Sequence, residues 1–312
     1  MDLRLSYIIT SSVLDSLVKI ETTRELLKGR FFNHGQIEAL KTKALLSKIS
    51  FFSTLIQRET GYFGLDLSST QILRVYKWIE KQYRFYHKFQ LKDLVNLHKI
   101  LFSEGAQAKK AGVFRNFEEE GASLAPSAEI KIMSENLVRY LNNPFEKYLP
   151  VKACLGLYNF LYISPFTQGN WLCAWYLYWS ILIREDKLFA DLYDLREGMD
   201  IDRMIFLLEL EKNGFQEFLE YFLKENADRC LFLKTFFSEK KALVHQELSL
   251  LPRRQKLLEL IRQNKELTLV KIKKNFPGVE QRSLRYDLAA LHRSGLILKK
   301  GVTKGVVYTS IS

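Results

Sequence analysis

Cysteine is scarce in this chain. Cys154, Cys173 and Cys230 are the only three, they stand far apart, and no two form a Cys-x-x-Cys pair. That argues against a disulfide framework or a cysteine zinc site and leaves all three as small buried apolar residues. The five histidines (His34, His87, His98, His245, His292) show no metal-ligand spacing and read as partly exposed helix residues. A membrane-length apolar helix is missing too: the apolar run 171–183 rises only about 20 Å as a helix, short of the roughly 30 Å core of a bilayer. The start of the chain places Asp2 and Arg4 where a signal peptide has a basic region and then an apolar run, so a cytoplasmic protein is expected. Strand-like alternation is absent before residue 295, and acidic residues are few in the last sixty.

What is present divides unevenly. The 312 residues are 47% hydrophobic and 26% charged, ordinary for a globular chain with a sizeable core. From Arg253 onward fourteen Lys and Arg face four acids, which places +10 of the total net charge of +12 in the last sixty residues. The first 252 are nearly neutral, so the two parts are expected to meet different partners.

Apolar residues recur at helical spacing through most of the chain. Helices are expected over Leu3–Phe63 with a break between Gly29 and Gly35, after an N-cap at Ser68-Ser69-Thr70, and from Leu91 to Leu101. Periodicity fails between Ser103 and Lys131, an irregular excursion with room for a short hairpin, and long loops of this kind are often functional. Helical spacing resumes over 130–141, 151–162, 171–183 and 205–223. The run 171–183 is apolar on every face and must be surrounded by other helices. Its start, at the turn Pro165 to Asn170, leaves free backbone N–H groups able to hold an anion.

That turn reads Ser164-Pro165-Phe166-Thr167-Gln168-Gly169-Asn170-Trp171-Leu172-Cys173-Ala174-Trp175. It resembles a degraded Fic motif, His-Pro-Phe-x-Asp/Glu-Gly-Asn-Gly-Arg-x-x-Arg. Gly112-Val113-Phe114-Arg115 is similar to the segment preceding the Fic flap, Tyr193 and the 215–223 helix to the closing helices, and Ser53 to Arg58 to the inhibitory helix Ser-Ser-x-Ile-Glu-Gly. The resemblance covers about residues 1–235 and implies a helical body that in active relatives transfers AMP from ATP, with Mg²⁺, to a protein hydroxyl.

Such transfer needs a general base, a metal ligand and cations for the phosphates. This chain replaces each. Ser164 occupies the base position, where an unassisted hydroxyl cannot accept the proton, and Gln168 substitutes a neutral amide for the carboxylate that Mg²⁺ prefers. Leu172 and Trp175 stand in for the two arginines, removing bidentate phosphate contacts. Gln57 replaces the inhibitory glutamate and is expected to face Leu172, so both ends of that ion pair are neutral, and a lone buried glutamate is avoided. A lost base alone is worth about 10²–10⁴ in rate. The surviving Pro165, Phe166, Gly169 and Asn170 either only shape the turn or, with Gln168, still hold an anion or neutral ligand. His87 or His98 is the candidate for a distant substitute base.

Residues 253–312 form a second pattern: helix, helix with Thr268 as N-cap, turn at Pro277-Gly278, helix over 279–294, then two strands joined around Gly301 to Gly305. The order resembles a winged helix-turn-helix, and Ser283 to Ile297 resembles the recognition helix and wing entry of DeoR-type regulators, with Tyr286 where a second arginine is common. The resemblance implies Gln281, Arg282, Arg285 and Tyr286 near bases or flanking phosphates, with Lys299, Lys300 and Lys304 meeting the backbone from the wing. A dimerisation or protein-binding role is the alternative.

The expected architecture is therefore mainly α: an N-terminal helical region (1–90), a Fic-like core (91–237), a linker (238–252) and a C-terminal winged helix (253–312). The expected function is a DNA-binding regulator on a Fic-like pseudoenzyme, with a second copy of the chain or another protein as partner of the body. No membrane and no cofactor are expected. The competing reading, a Fic-type adenylyltransferase acting with substituted residues, requires ATP and Mg²⁺.

Overall fold

The computed structural model describes residues 3–28, 34–59, 69–83, 87–103, 108–117, 124–193, 199–209, 214–248, 250–264, 266–301 and 305–310. It divides into two compact units, Met1–Thr235 and Phe236–Ser312. The chain is mostly helical, and the sheet found among the described residues lies in the second unit, as the fold class read from the sequence requires.

The elements are α1 (Ser11–Lys28), α2 (His34–Glu59), α3 (Ser69–Tyr83), α4 (Leu91–Leu101), α5 (Ile130–Leu141), α6 (Leu149–Ile163), α7 (Asn170–Glu185), α8 (Lys187–Leu192), α9 (Ile201–Glu209) and α10 (Gly214–Leu248). Then follow α11 (Pro252–Arg262), β1 (Leu267–Thr268), α12 (Leu269–Asn275), α13 (Gln281–Arg293), β2 (Ile297–Lys300) and β3 (Val307–Ser310). Residues 238–248, expected in a linker, continue α10 to Leu248. Ser69 and Thr70 lie within α3, and Ser68 falls outside the described residues. Among the described residues of the excursion 103–131 there are two 3₁₀ turns and no hairpin; its extended piece pairs Phe114 with Phe166 instead.

The first unit is built around α6 and α7. Pro150 stands in the first turn of α6, where its missing N–H costs no helical bond, and all fifteen residues of that helix are buried. Helix α7 packs against α6, α2, α3, α4 and α8, which is how an all-round apolar helix satisfies its surface. Gly156 permits the close α6–α7 approach, since a Cβ there would lie 2.7 Å from Ile181 Cδ1. Aromatic contacts fill the other side: Phe52 stacks on Tyr176 with ring centres 4.2 Å apart, and Trp175 meets Phe51 edge-on at 4.9 Å. Cys154, Cys173 and Cys230 are buried and free of disulfide bonds. Among the described residues no helix is long and apolar enough to cross a membrane.

In the second unit, Leu257, Ile261, Ile272, Leu284, Leu288 and Leu291 make one core beneath a sheet of order β1-β3-β2, antiparallel throughout. The two-residue β1 escapes sequence alternation because it is too short to show any. Thr268 caps α12, its Oγ1 accepting from Lys271 N at 3.4 Å. Gly295, at φ +66°, closes α13: its N–H bonds His292 O at 3.0 Å while Leu296 N–H bonds Leu291 O at 3.0 Å. That six-to-one and five-to-two pair turns the chain directly into β2.

Candidate functional site

The turn joining α6 to α7 is held from within. Ser164 ends α6 in the left-handed region at φ +40°, the only non-glycine among the described residues with positive φ. Its Oγ donates to Leu161 O at 2.6 Å, so the hydroxyl is spent on the helix end. Phe166 is fully buried, and Asn170 brackets it: Phe166 N–H donates to Asn170 Oδ1 at 3.0 Å while Asn170 Nδ2 donates to Phe166 O at 2.7 Å. Gly169 begins α7 at φ +77° with the Phe102 ring where a side chain would stand. Of the two readings of this turn, the bonds between Phe166 and Asn170 and the ring beside Gly169 agree with residues that shape the loop.

Two residues from the excursion and α4 complete the lock. Buried Arg115 donates Nε to Ser164 O at 2.9 Å, Nη1 to Phe117 O at 2.8 Å and Nη2 to Ala125 O at 2.5 Å and Ile163 O at 3.3 Å. Its backbone N–H reaches Pro165 O at 2.9 Å. The guanidinium thus joins two carbonyls at the C-terminal, negative end of α6, a favourable place for a cation, to two of the excursion. His98 stacks on Phe166 with ring centres 3.9 Å apart. Its Nδ1 accepts from Gly112 N–H at 2.8 Å, which leaves Nε2 protonated to donate to Gln168 O at 3.0 Å.

His98 was expected among partly exposed histidines and as a substitute base. The structure corrects both readings, since it is 3% exposed with both ring nitrogens bonded to backbone. His87 is exposed, outside any helix. Burial lowers the His98 pKa to about 4, against the weaker opposing effect of the Gln168 carbonyl. An unfolded histidine titrates near 6.5, so between about 6.5 and 4 the unfolded chain takes up a proton the folded chain refuses. This contribution is complete above pH 6.5 and is lost as pH falls toward 4, an effect on the order of 3 kcal/mol. Urea unfolding of the body, followed by tryptophan fluorescence, is expected to show that loss, and His98→Phe to flatten the slope in this window. An unchanged slope in the variant would assign the pH dependence elsewhere.

The remaining motif positions are packed. Leu172 and Trp175 are fully buried, with Trp175 against Phe51, Tyr178 and Phe222. Gln168 Nε2 and Trp175 Nε1 are buried and have no hydrogen-bond partner among the described residues. Ser53 Oγ folds back onto Ile49 O of its own helix at 2.9 Å, and the Gln57 side chain lies outside the described residues. A magnesium nucleotide finds a poor fit in this set, since Gln168 offers an amide rather than a carboxylate and Leu172 and Trp175 are buried and apolar. Among the described residues no group of three or more His, Cys, Asp and Glu is placed to hold a metal.

The second unit has an open cleft of about 590 Å³ between the start of α12, α13 and the strands β2 and β3. Gln281, Arg285 and Lys299, expected from sequence, line it, together with Thr268, His292 and Arg293, which were not among the expected DNA contacts. Within α13, residues 281, 285, 289 and 292 fall on one stripe, beside buried Leu284, Leu288 and Leu291. Arg282 and Tyr286 are exposed on the adjoining face. Lys300 does not join Lys299, because successive strand residues alternate faces, and its Nζ lies 3.7 Å from Glu266. Lys304 lies outside the described residues. Arg253 and Arg254, counted with the basic excess, are instead paired to Asp287.

Residues 88–182 match the Fic/DOC family. No curated protein matches the chain. Among solved structures, a Fic family protein from Desulfovibrio desulfuricans G20 superposes with a TM-score of 0.52 at 15% identity, over 99% of this chain and 98% of its own. Fic-1 from C. elegans gives the same score and identity over 73% of each chain. At this identity the likeness is one of fold. The family match over 88–182 and the shared architecture together identify the helical body as having a Fic-type fold.

Proposed function

We propose that the protein binds duplex DNA through its C-terminal unit, read as a winged helix, and that the Fic-like body serves as a dimerisation or sensing platform without AMP transfer of the usual kind. The observation that supports DNA binding is the cleft in which Gln281, Arg285, Arg293 and Lys299 converge from α13 and the wing. A helix about 10–12 Å across matches a major groove about 12 Å wide, and the wing lysine is then near a phosphate strand. For the body, the supporting observation is that Ser164, Asn170, His98 and Arg115 are already bonded to backbone, while Leu172 and Trp175 are buried.

The test is a fluorescence-anisotropy titration of the full chain on a mixed-sequence duplex between 50 and 200 mM salt. With about six phosphates neutralised, affinity is expected to fall about 10³-fold over that range. Arg285→Ala is expected to weaken binding about tenfold or more. No binding at 50 mM salt would end this reading. The Fic-type fold and family match favour adenylyltransfer as the competing function, so the same protein is incubated with α-labelled ATP and Mg²⁺. Label appearing on a protein hydroxyl, and lost on changing Ser164 or Gln168, would replace the pseudoenzyme reading.

A further inference from the structure

Helix α13 carries a second charged flank that the cleft does not use. Tyr286 is 61% exposed, one residue and therefore about 100° round the helix from Arg285. The Arg254 guanidinium lies over its ring, 5.6 Å from the centre. Arg254 Nε donates to Asp287 Oδ1 at 2.8 Å, and Arg253 Nε donates to Asp287 Oδ2 at 2.6 Å. Asp287 itself is 1% exposed, whereas the two arginine side chains remain 21% and 42% exposed.

This arrangement exceeds what packing requires. One arginine neutralises one buried carboxylate; here two converge on it, and the trio keeps a net positive charge beside an exposed phenol. Burial alone would raise the Asp287 pKa, but the hydrogen bonds and charges of Arg253 and Arg254 outweigh it and hold the carboxyl below its usual value. The carboxylate therefore stays ionised near neutral pH and keeps both guanidinium groups in place.

A helix that fills a major groove has a phosphate strand along each side. The cleft with Lys299 addresses one strand, and the Tyr286 flank faces the other. Resting on the DNA-binding reading above, we propose that Arg254 and Tyr286 form a phosphate clamp for the strand opposite the wing, with Asp287 as the residue that positions it. Tyr286 contributes its hydroxyl as a donor to a phosphate oxygen, and Arg254 contributes charge. The first turn of α11 thereby becomes part of the nucleic-acid surface.

Full-length variants on the same duplex test this. Tyr286→Phe, a change at an exposed position that leaves the core intact, is expected to weaken binding about three- to tenfold with the salt slope unchanged. Arg254→Ala is expected to weaken binding and reduce the magnitude of the slope by about one. Asp287→Asn removes a negative charge close to DNA, which by charge alone would strengthen binding; a positioning role predicts the reverse, weaker binding. Wild-type affinity in either Tyr286→Phe or Arg254→Ala, with Arg285→Ala still impaired, overturns the clamp and leaves the DNA-binding reading standing. Stronger binding by Asp287→Asn overturns the positioning role. Failure of the wild-type chain to bind at low salt overturns both the clamp and the reading beneath it.

Discussion

Arg115→Met is expected to destabilise the body by roughly 3–5 kcal/mol, because a buried carbonyl deprived of its donor costs about 1–3 kcal/mol. The guanidinium spans Ser164 O, Phe117 O and Ala125 O, with Ile163 O at longer range. Methionine fills much of the space and donates nothing. Lysine keeps the charge but has one ammonium where the arginine fork reaches several acceptors at once, so it is expected to recover only part of the loss. All four tryptophans (Trp78, Trp171, Trp175, Trp179) lie in the first unit, and their fluorescence in a urea titration reports that unit alone. A loss under about 1 kcal/mol in the methionine variant would show that those carbonyls have other donors and that Arg115 is not what joins the excursion to the turn.

Gly169→Ala is expected to have a similarly large effect, about 4 kcal/mol, for a different reason. A residue with a Cβ at φ +77° carries backbone strain of about 1–3 kcal/mol, and forcing an extra carbon into a filled core costs about as much again. The new atom would stand 2.3 and 2.4 Å from two ring carbons of Phe102. That ring cannot swing away freely, being 1% exposed and against His98 with centres 4.7 Å apart. The His98 bond to Gln168 O is therefore expected to loosen along with the start of α7. The same fluorescence titration measures the loss. If Gly169→Ala unfolds like the parent, the start of α7 adjusts more easily than this packing allows.

These two residues illustrate what could be read in advance. Gly169 announces itself in sequence, since glycine followed by asparagine before an apolar helix marks a tight entry. The phenylalanine that makes it obligatory is 67 positions away by the numbering and has no local signature. Arg115 was placed by resemblance to a segment ahead of the Fic flap, yet its role came only from knowing which carbonyls converge on it, 48 and 49 residues further along. His98 was misjudged for the same reason. Its helical setting was legible, but a histidine within a helix looks identical in sequence whether its ring faces water or a backbone amide. In the C-terminal unit, the Lys and Arg excess was countable, whereas the partition of those cations depended on Asp287 lying inward, where α11 and α13 meet.

The sequence by itself determined the helical class, the buried α7 and the basic C-terminal unit with its hairpin. Periodicity, charge and residue type are local properties, and local reading recovers them. Only the tertiary structure decided that the turn at Ser164 to Asn170 is closed on itself, and that His98 is locked rather than poised. It likewise decided that Arg254 is held beside Tyr286. Hydrogen bonds and ion pairs join residues far apart in the chain, and burial changes the protonation and freedom of the groups they join, so neither follows from spacing alone.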